Sequence, residues 1–368
     1  MKQLIYLSPV PWSSFAQRPH KFVQWFHQRT GGAVMWLEPY PTRLPQLSDI
    51  RRLFSSPMPP LSSQQPAWLT VLKPRALPIE PLPGSQYLNR LLWQELISQI
   101  TTFTETNETL FAFGKPSVLA LSLLDRFPHC PSLYDAMDDF PAFYSGYSRL
   151  IQTKREQQIV QAVGTLWASS SELLKRWNGH CDNIHLVYNG LDVSVLPTLK
   201  KPSRPAGQKI FGYVGTLADW FDWEWLFALA TARPNDEIRL IGPQLTPAPK
   251  NLPINITMLP ACAHDAALKA MLDFDVGLIP FKRNALTASV DPIKYYEYRA
   301  LSLPVISTDF GEMRCRKTLT GTFISQSTTD IASLAERALQ HVRNADLAHA
   351  FAAENSWETR FDGAGLLP

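Results

Sequence analysis

The chain has 368 residues, 45% of them hydrophobic and 18% charged, which is the make-up of a core-forming globular protein and gives enough length for two domains of ordinary size. A net charge of +3 and the lack of basic runs interleaved with aromatics argue against a nucleic-acid partner. Cys130, Cys181, Cys262 and Cys315 are scattered, with neither a CxxC nor a metal-ligand spacing, as expected of reduced thiols in a cytoplasmic protein.

The N-terminal MKQLIYLSPVPW carries an apolar run too short for a signal peptide, and no later stretch reaches the roughly 20 apolar residues needed to span a bilayer. A soluble or at most peripheral protein is expected. Strand-like runs then follow in order: Leu4–Ser8, Val34–Glu38, Trp68–Lys73, Thr109–Gly114, Pro131–Asp135, Thr165–Ser170 and Ile184–Gly190. Helical patterns such as HKFVQWFHQ lie between them, and this alternation predicts a parallel sheet covered on both faces. Within this half, Arg51–Asn89 is rich in proline mixed with Arg, Leu and Trp. It reads either as a packed loop or as a loop that grips an amphiphilic acceptor or a membrane surface.

Leu196–Lys209, LPTLKKPSRPAGQK, has no apolar period and is the best linker candidate. The pattern then restarts with IFGYVG, EIRLIG, ITMLP, VGLIP, PVIST and TFISQ. The expectation is an α/β protein with two Rossmann-like, doubly wound domains facing a central cleft. The boundaries expected are 1–195, a linker at 196–209, 210–345, and a helical tail at 346–368 that packs back on the first domain. Ligands of such sheets bind at the carboxyl ends of the strands.

One stretch of the second half, DPIKYYEYRALSLPVIST from Asp291 to Thr308, is locally informative. Pro292 suits a first helical turn and Asp291 an N-cap before it. Ile293, Tyr296, Ala300 and Leu301 recur at helical spacing and would face a core. Lys294 and Glu297, three apart, are neighbours near the helix start. On spacing alone they read as a weak surface ion pair.

Several segments taken together resemble GT-B glycosyltransferases. VYNGLDVSVL is similar to the segment closing their first domain, and FGYVGTLADWFDWEWL to the first strand, glycine turn and helix of their second. LIGP, DFDVGLIPF and PIKYYEYRALSLPVIST continue the series in order, the last resembling the donor-nucleotide segment of glycosyltransferase family 4. YDAMDDF and SSSELLKRW resemble segments of teichuronic acid and capsule glycosyltransferases. The resemblance covers nearly the whole chain.

It implies a hexosyltransferase that moves a sugar from a nucleotide diphosphate sugar, such as a UDP-sugar, to a glycan or lipid-linked acceptor in cell-surface polysaccharide biosynthesis. The donor would bind mainly the second domain and the acceptor the first. Neither metal nor cofactor is implied, retention of configuration rests on family analogy, and the expected place is the cytoplasm at the inner face of the membrane. Glu297 would accept hydrogen bonds from the ribose hydroxyls, and Lys294 would approach the diphosphate at the positive end of its own helix.

The family carries Gly-Arg-Leu-x-x-x-Lys where this chain has Gly215, Thr216, Leu217 and Phe221, so Lys294 has to supply the missing charge, with Lys282, Arg283 and the amides of Gly215 and Thr216 as helpers. Trp220 is a candidate to stack on base or sugar. Ser289 stands eight before Glu297, where members often have a second glutamate. In the first domain, Asp135 or Asp138 would orient the donor sugar or act as base toward the acceptor, unless the cluster is only a helix cap or a solvated turn. Arg18 and His20 would meet the acceptor, His20 also as a catalytic candidate. The competing readings are a nucleotide-sugar 2-epimerase and a catalytically inactive scaffold subunit of the same fold. No G-x-G-x-x-G follows either first strand, against a dinucleotide oxidoreductase.

Overall fold

The computed structural model describes residues 2–42, 65–77, 80, 82, 84–199 and 207–367. Much of the proline-rich stretch Arg51–Asn89 and the middle of the 196–209 linker lie outside the described residues. Two compact units result: one from residues up to 187 together with those from 361 onward, the other from Tyr188 to Arg360.

The first unit runs β1 (Gln3–Leu7), α1 (Arg18–Thr30), β2 (Val34–Leu37), β3 (Leu69–Leu72), α2 (Ser85–Leu92), α3 (Gln94–Thr106), β4 (Thr109–Phe113), α4 (Val118–Arg126), β5 (Ser132–Ala136), α5 (Gly146–Ala162), β6 (Thr165–Ala168), α6 (Ser171–Trp177) and β7 (Ile184–Leu186). Its seven strands form one parallel sheet in the order β3-β2-β1-β4-β5-β6-β7. In register, Leu4 stands beside Val34 on one side and Leu110 on the other. All residues of β1, β2 and β4 are buried, because helices cover both faces, and this is why these strands read as continuous apolar runs rather than alternating ones. The residues from 361 onward add to this unit. Phe361 stacks on Trp167 at 5.7 Å, and Asp362 accepts from Trp25 Nε1 at 2.8 Å.

The second unit runs β8 (Ile210–Val214), α7 (Trp223–Ala232), β9 (Glu237–Ile241), β10 (Ile256–Leu259), α8 (His264–Met271), β11 (Val276–Ile279), α9 (Ile293–Ala300), β12 (Val305–Thr308), β13 (Thr322–Ser325), α10 (Ile331–Leu339) and α11 (Ala345–Glu354). Its parallel sheet has the order β10-β9-β8-β11-β12-β13. One face packs Phe211, Leu240 and Leu278 against Trp225, Leu226 and Leu229 of α7. The other packs Ile210 and Ile279 against Tyr295, Tyr298 and Leu301. In each sheet the strand order reverses once, between β1 and β4 and between β8 and β11, and such a switch point opens a crevice outside the carboxyl ends of the strands.

The start of α9 differs from its expected form. Asp291 does not cap the helix; Pro292 occupies the cap position with no side-chain cap. The Asp291 carboxylate turns inward instead, accepting from Arg316 Nη2 at 2.5 Å, Tyr296 Oη at 2.8 Å and the Asn189 amide at 2.8 Å. Arg316 is nearly buried and an unpaired buried guanidinium is costly, so the carboxylate is used there rather than on the helix end.

Candidate functional site

The turn after β8 lies at the switch point of the second sheet. Gly215 has φ +154°, and a Cβ on Gly242, which follows β9 at φ +149°, would lie 2.1 Å from the Gly215 carbonyl oxygen. Only glycine lets these two turns touch. Tyr213 Oη donates to the Thr216 carbonyl at 2.9 Å, and among the described residues the Thr216 amide has no hydrogen-bond acceptor. The half-buried Trp220 accepts the Lys282 amide at 2.7 Å through its carbonyl, tying this turn to the end of β11. Phe221 is buried against Tyr213, with ring centroids 5.0 Å apart. That position therefore builds core and presents no cation.

Lys282 and Arg283 are exposed just past β11. Arg283 donates to the Gln326 carbonyl, while Lys282 has no ion-pair partner among the described residues. Ser289 is buried, and its Oγ finds no hydrogen-bond partner there.

Glu297, on the first turns of α9, is almost fully buried. Lys294 Nζ lies 2.9 Å from its Oε2, and His264 Nε2 donates to its Oε1 at 2.7 Å. Burial by itself would push this carboxyl up, but the Lys294 charge and the His264 and Lys294 hydrogen bonds outweigh that and hold it at about 2. The result is a fixed anion flanked by two donors. His264, half-exposed at the start of α8, was not singled out from the sequence, where nothing in HDAALKAM distinguishes it from an ordinary surface histidine.

The first unit presents a different picture. Arg18 and Asp135 are enclosed and bound to each other: Nε lies 3.0 Å from both carboxylate oxygens and Nη2 2.8 Å from Oδ1, while Nη1 donates to the Val187 carbonyl at 2.7 Å. With Asp135 at 0% exposure, neither side chain offers a ligand a free face, which corrects the expectation that they meet sugar or acceptor directly. The pair ties the start of α1 to β5. His20 is buried too; its Nδ1 accepts the Gln17 amide at 3.2 Å and its Nε2 donates to the Trp12 carbonyl at 3.2 Å. Burial lowers its pKa, so it sits as a neutral ring that closes the helix start.

Asp138 stands apart from these. It is half-buried just past β5, and no hydrogen bond to its carboxylate forms among the described residues. Burial raises its pKa to about 7; the Arg18 charge opposes this and the carboxylates of Asp135 and Asp139 add to it. Asp139 is held by Arg176 at 2.7 Å. Near the switch point of this sheet, Ser8, Glu38, Tyr40, Thr42, Lys115 and Ser117 line a small half-open hollow of about 20 Å³, which sequence reasoning missed because its lining comes from the ends of several strands. Among the described residues no group of three His, Cys, Asp or Glu side chains is placed to hold a metal ion, and no helix is long and apolar enough to cross a membrane.

No protein-family model matches the chain. Over 199 aligned residues it is 25% identical to TuaH of Bacillus subtilis (strain 168), named for teichuronic acid biosynthesis as a glycosyltransferase, and the match takes in 48% of this chain and 50% of that protein. The chain thus spans about half the length of the curated relative it matches. Among solved structures, the lipopolysaccharide outer core galactosyltransferase WaaB superposes with a TM-score of 0.65 at 13% identity over 98% of both chains. Anabaena HepE in complex with UDP-glucose does so with a TM-score of 0.65 at 13% identity, over 99% of this chain and 98% of that one.

The chain has the GT-B fold. In this GT-B chain the set Lys294, Glu297 and His264 and the turn at Gly215 belong to the second unit, whereas Asp138 and the hollow at Lys115 belong to the first.

Proposed function

We propose that this GT-B chain is a hexosyltransferase that moves a sugar from a nucleotide diphosphate sugar to a glycan or lipid-linked acceptor in cell-surface polysaccharide biosynthesis. The observation that carries the reading is the buried Glu297 carboxylate, held between Lys294 and His264 in the second unit. A fixed anion of this kind suits a vicinal diol, because one carboxylate accepts two hydrogen bonds at once. In this reading Lys294 exchanges its carboxylate partner for an incoming diphosphate, at the amino end of α9 where peptide dipoles favour negative charge. Lys282, Arg283 and the amides near Gly215 and Thr216 add to that charge, Ser289 supplies a hydroxyl to the donor, and Trp220 a ring face.

In the reaction the acceptor oxygen bonds to the anomeric carbon, the bond to the diphosphate breaks, and the acceptor proton is taken up. Asp138, with a pKa of about 7, is the candidate to receive it, since a base works best when its pKa lies near the operating pH. The reading includes retention of configuration, independence of metal, and work at the cytoplasmic face of a membrane. It is supported by the name of TuaH and by the UDP-glucose held by HepE, which makes uridine the base of choice.

The test is an assay of sugar release from UDP-glucose and UDP-galactose with and without glycan and lipid-linked acceptors, with chelator present. Acceptor-dependent release abolished by Glu297→Ala supports the reading. A 2-epimer formed from donor alone, or no turnover with undiminished nucleotide binding, replaces it by the epimerase or the scaffold.

A further inference from the structure

The second helix of the first unit is turned with its apolar side outward. In α2 the side chains of Tyr87, Leu88, Leu91 and Leu92 are exposed, Tyr87 and Leu91 at 64% and 63%, whereas Asn89 is buried and its Oδ1 accepts the Leu77 amide at 2.9 Å. Leu77 and Leu82 are exposed beside it. A second apolar face lies on α5, where Tyr147 and Leu150 are exposed, the latter at 69%, with Phe143 just before the helix. Both helices are fastened to one buried acid: Ser85 Oγ donates to the Glu80 carbonyl at 3.0 Å, and Arg155 Nη1 pairs with Glu80 Oε1 at 2.7 Å. A folded chain rarely leaves large apolar side chains this open without a use for them.

The charges around these faces are mainly cationic, with the exposed Glu95 of the next helix as the acidic exception. Among the described residues of 65–93 and 143–162 the exposed charged side chains are Lys73, Arg75, Arg90, Arg149 and Lys154. The two carboxylates of these stretches are both buried: Glu80 pairs with Arg155, and Glu156 accepts from Tyr134 Oη at 2.7 Å. Leucine and tyrosine facing outward with flanking Arg and Lys is the composition of a helix that lies in a bilayer interface, its apolar side chains among the acyl chains and its cations at the headgroups. Five exposed cations against the single exposed carboxylate of Glu95 complement an anionic lipid surface, to which each Lys or Arg near the surface adds attraction.

We infer that α2 and the start of α5 form a docking surface for a membrane bearing anionic lipids. This rests on the reading of a lipid-linked acceptor only for its purpose, and it is measured without any sugar transfer.

The test is flotation of the whole protein with vesicles of phosphatidylcholine alone and of phosphatidylcholine mixed with phosphatidylglycerol. The wild type is expected to float with the mixed vesicles and to be released by salt, which screens the cationic contribution. The double variant Leu88→Glu, Leu91→Glu and the single variant Leu150→Glu are expected to lower the bound fraction about tenfold each. Arg90→Glu combined with Arg149→Glu should lower binding to the mixed vesicles alone. UDP titration of every variant reports the second unit separately, so loss of UDP binding in the wild type would count against the proposed function and not against the docking surface.

Failure of the wild type to float overturns the inference, as does flotation unchanged in the leucine variants. A wild-type dimer by light scattering that fails to float, and becomes monomeric in Leu88→Glu, Leu91→Glu, overturns it in favour of a second copy of the chain. Should the α2 pair not fold, Leu150→Glu on the other helix decides.

Discussion

His264 Nε2 reaches Glu297 Oε1 at 2.7 Å while Lys294 Nζ holds the other oxygen at 2.9 Å. Glu297 is thereby a preformed anion, and an incoming diol would meet a carboxylate already fixed in place. Glu297→Ala should weaken binding of a nucleoside diphosphate by about 2–4 kcal/mol, the worth of two charge-assisted hydrogen bonds. Titration calorimetry checks this. Affinity equal to that of the wild type would leave Glu297 as a structural ion pair.

The same arrangement makes a prediction about pH and stability. The folded carboxyl at about 2 lies below its ordinary value of 4.5. A depressed acid contributes stability above its unfolded pKa and loses it as pH falls through the folded one. The difference in unfolding free energy between wild type and Glu297→Gln should therefore be full at neutral pH, at most about 3 kcal/mol, and shrink steadily below about pH 4.5. Urea denaturation across that range measures it; a gap that stays constant down to the acid limit would contradict the assignment.

Lys294 is the basic residue at the amino end of α9, and Phe221 is core. Lys294→Ala should slow transfer by about 10²–10³ while changing donor affinity much less, because negative charge on the diphosphate grows as the glycosidic bond breaks. Lys294→Arg should recover part of the rate. Steady-state kinetics decide, and rates within a few-fold of wild type would shift the role to Lys282 and Arg283.

Asp138 and Asp135 sit three residues apart with opposite expectations. Asp138→Asn should remove the acid limb of the pH–rate profile near pH 7 and cost about 10²–10⁴ in rate, with the fold intact. An unaltered profile would mean that another group, or the leaving phosphate, takes the proton.

Asp135→Ala should act on the fold. It leaves the Arg18 guanidinium buried without its carboxylate, a loss of about 3–5 kcal/mol. Thermal melting should drop markedly for this variant, and a melting point equal to wild type would show that Arg18 finds solvent or another partner.

Much of this architecture is written locally. Buried parallel strands are short apolar runs such as LIYL and VGLI, and each strand run of the sequence is found as a strand of one of the two sheets, since a strand covered on both faces admits little else. Lys294 and Glu297 were legible as a pair because one helix turn places them together, and Phe221 marked a missing cation only against the pattern of the glycosyltransferases that the segment resembles. The partners that complete each cluster were not legible. His264 lies 33 positions from Glu297, Arg316 lies 25 from Asp291, and Arg18 lies 117 from Asp135. Such pairings leave no periodic trace in the chain, because they are set by which strand and helix ends the sheet brings side by side. Tertiary structure alone therefore decided that Asp291 counters a buried arginine instead of capping a helix, and that Asp138, rather than Asp135, has no ion-pair partner among the described residues.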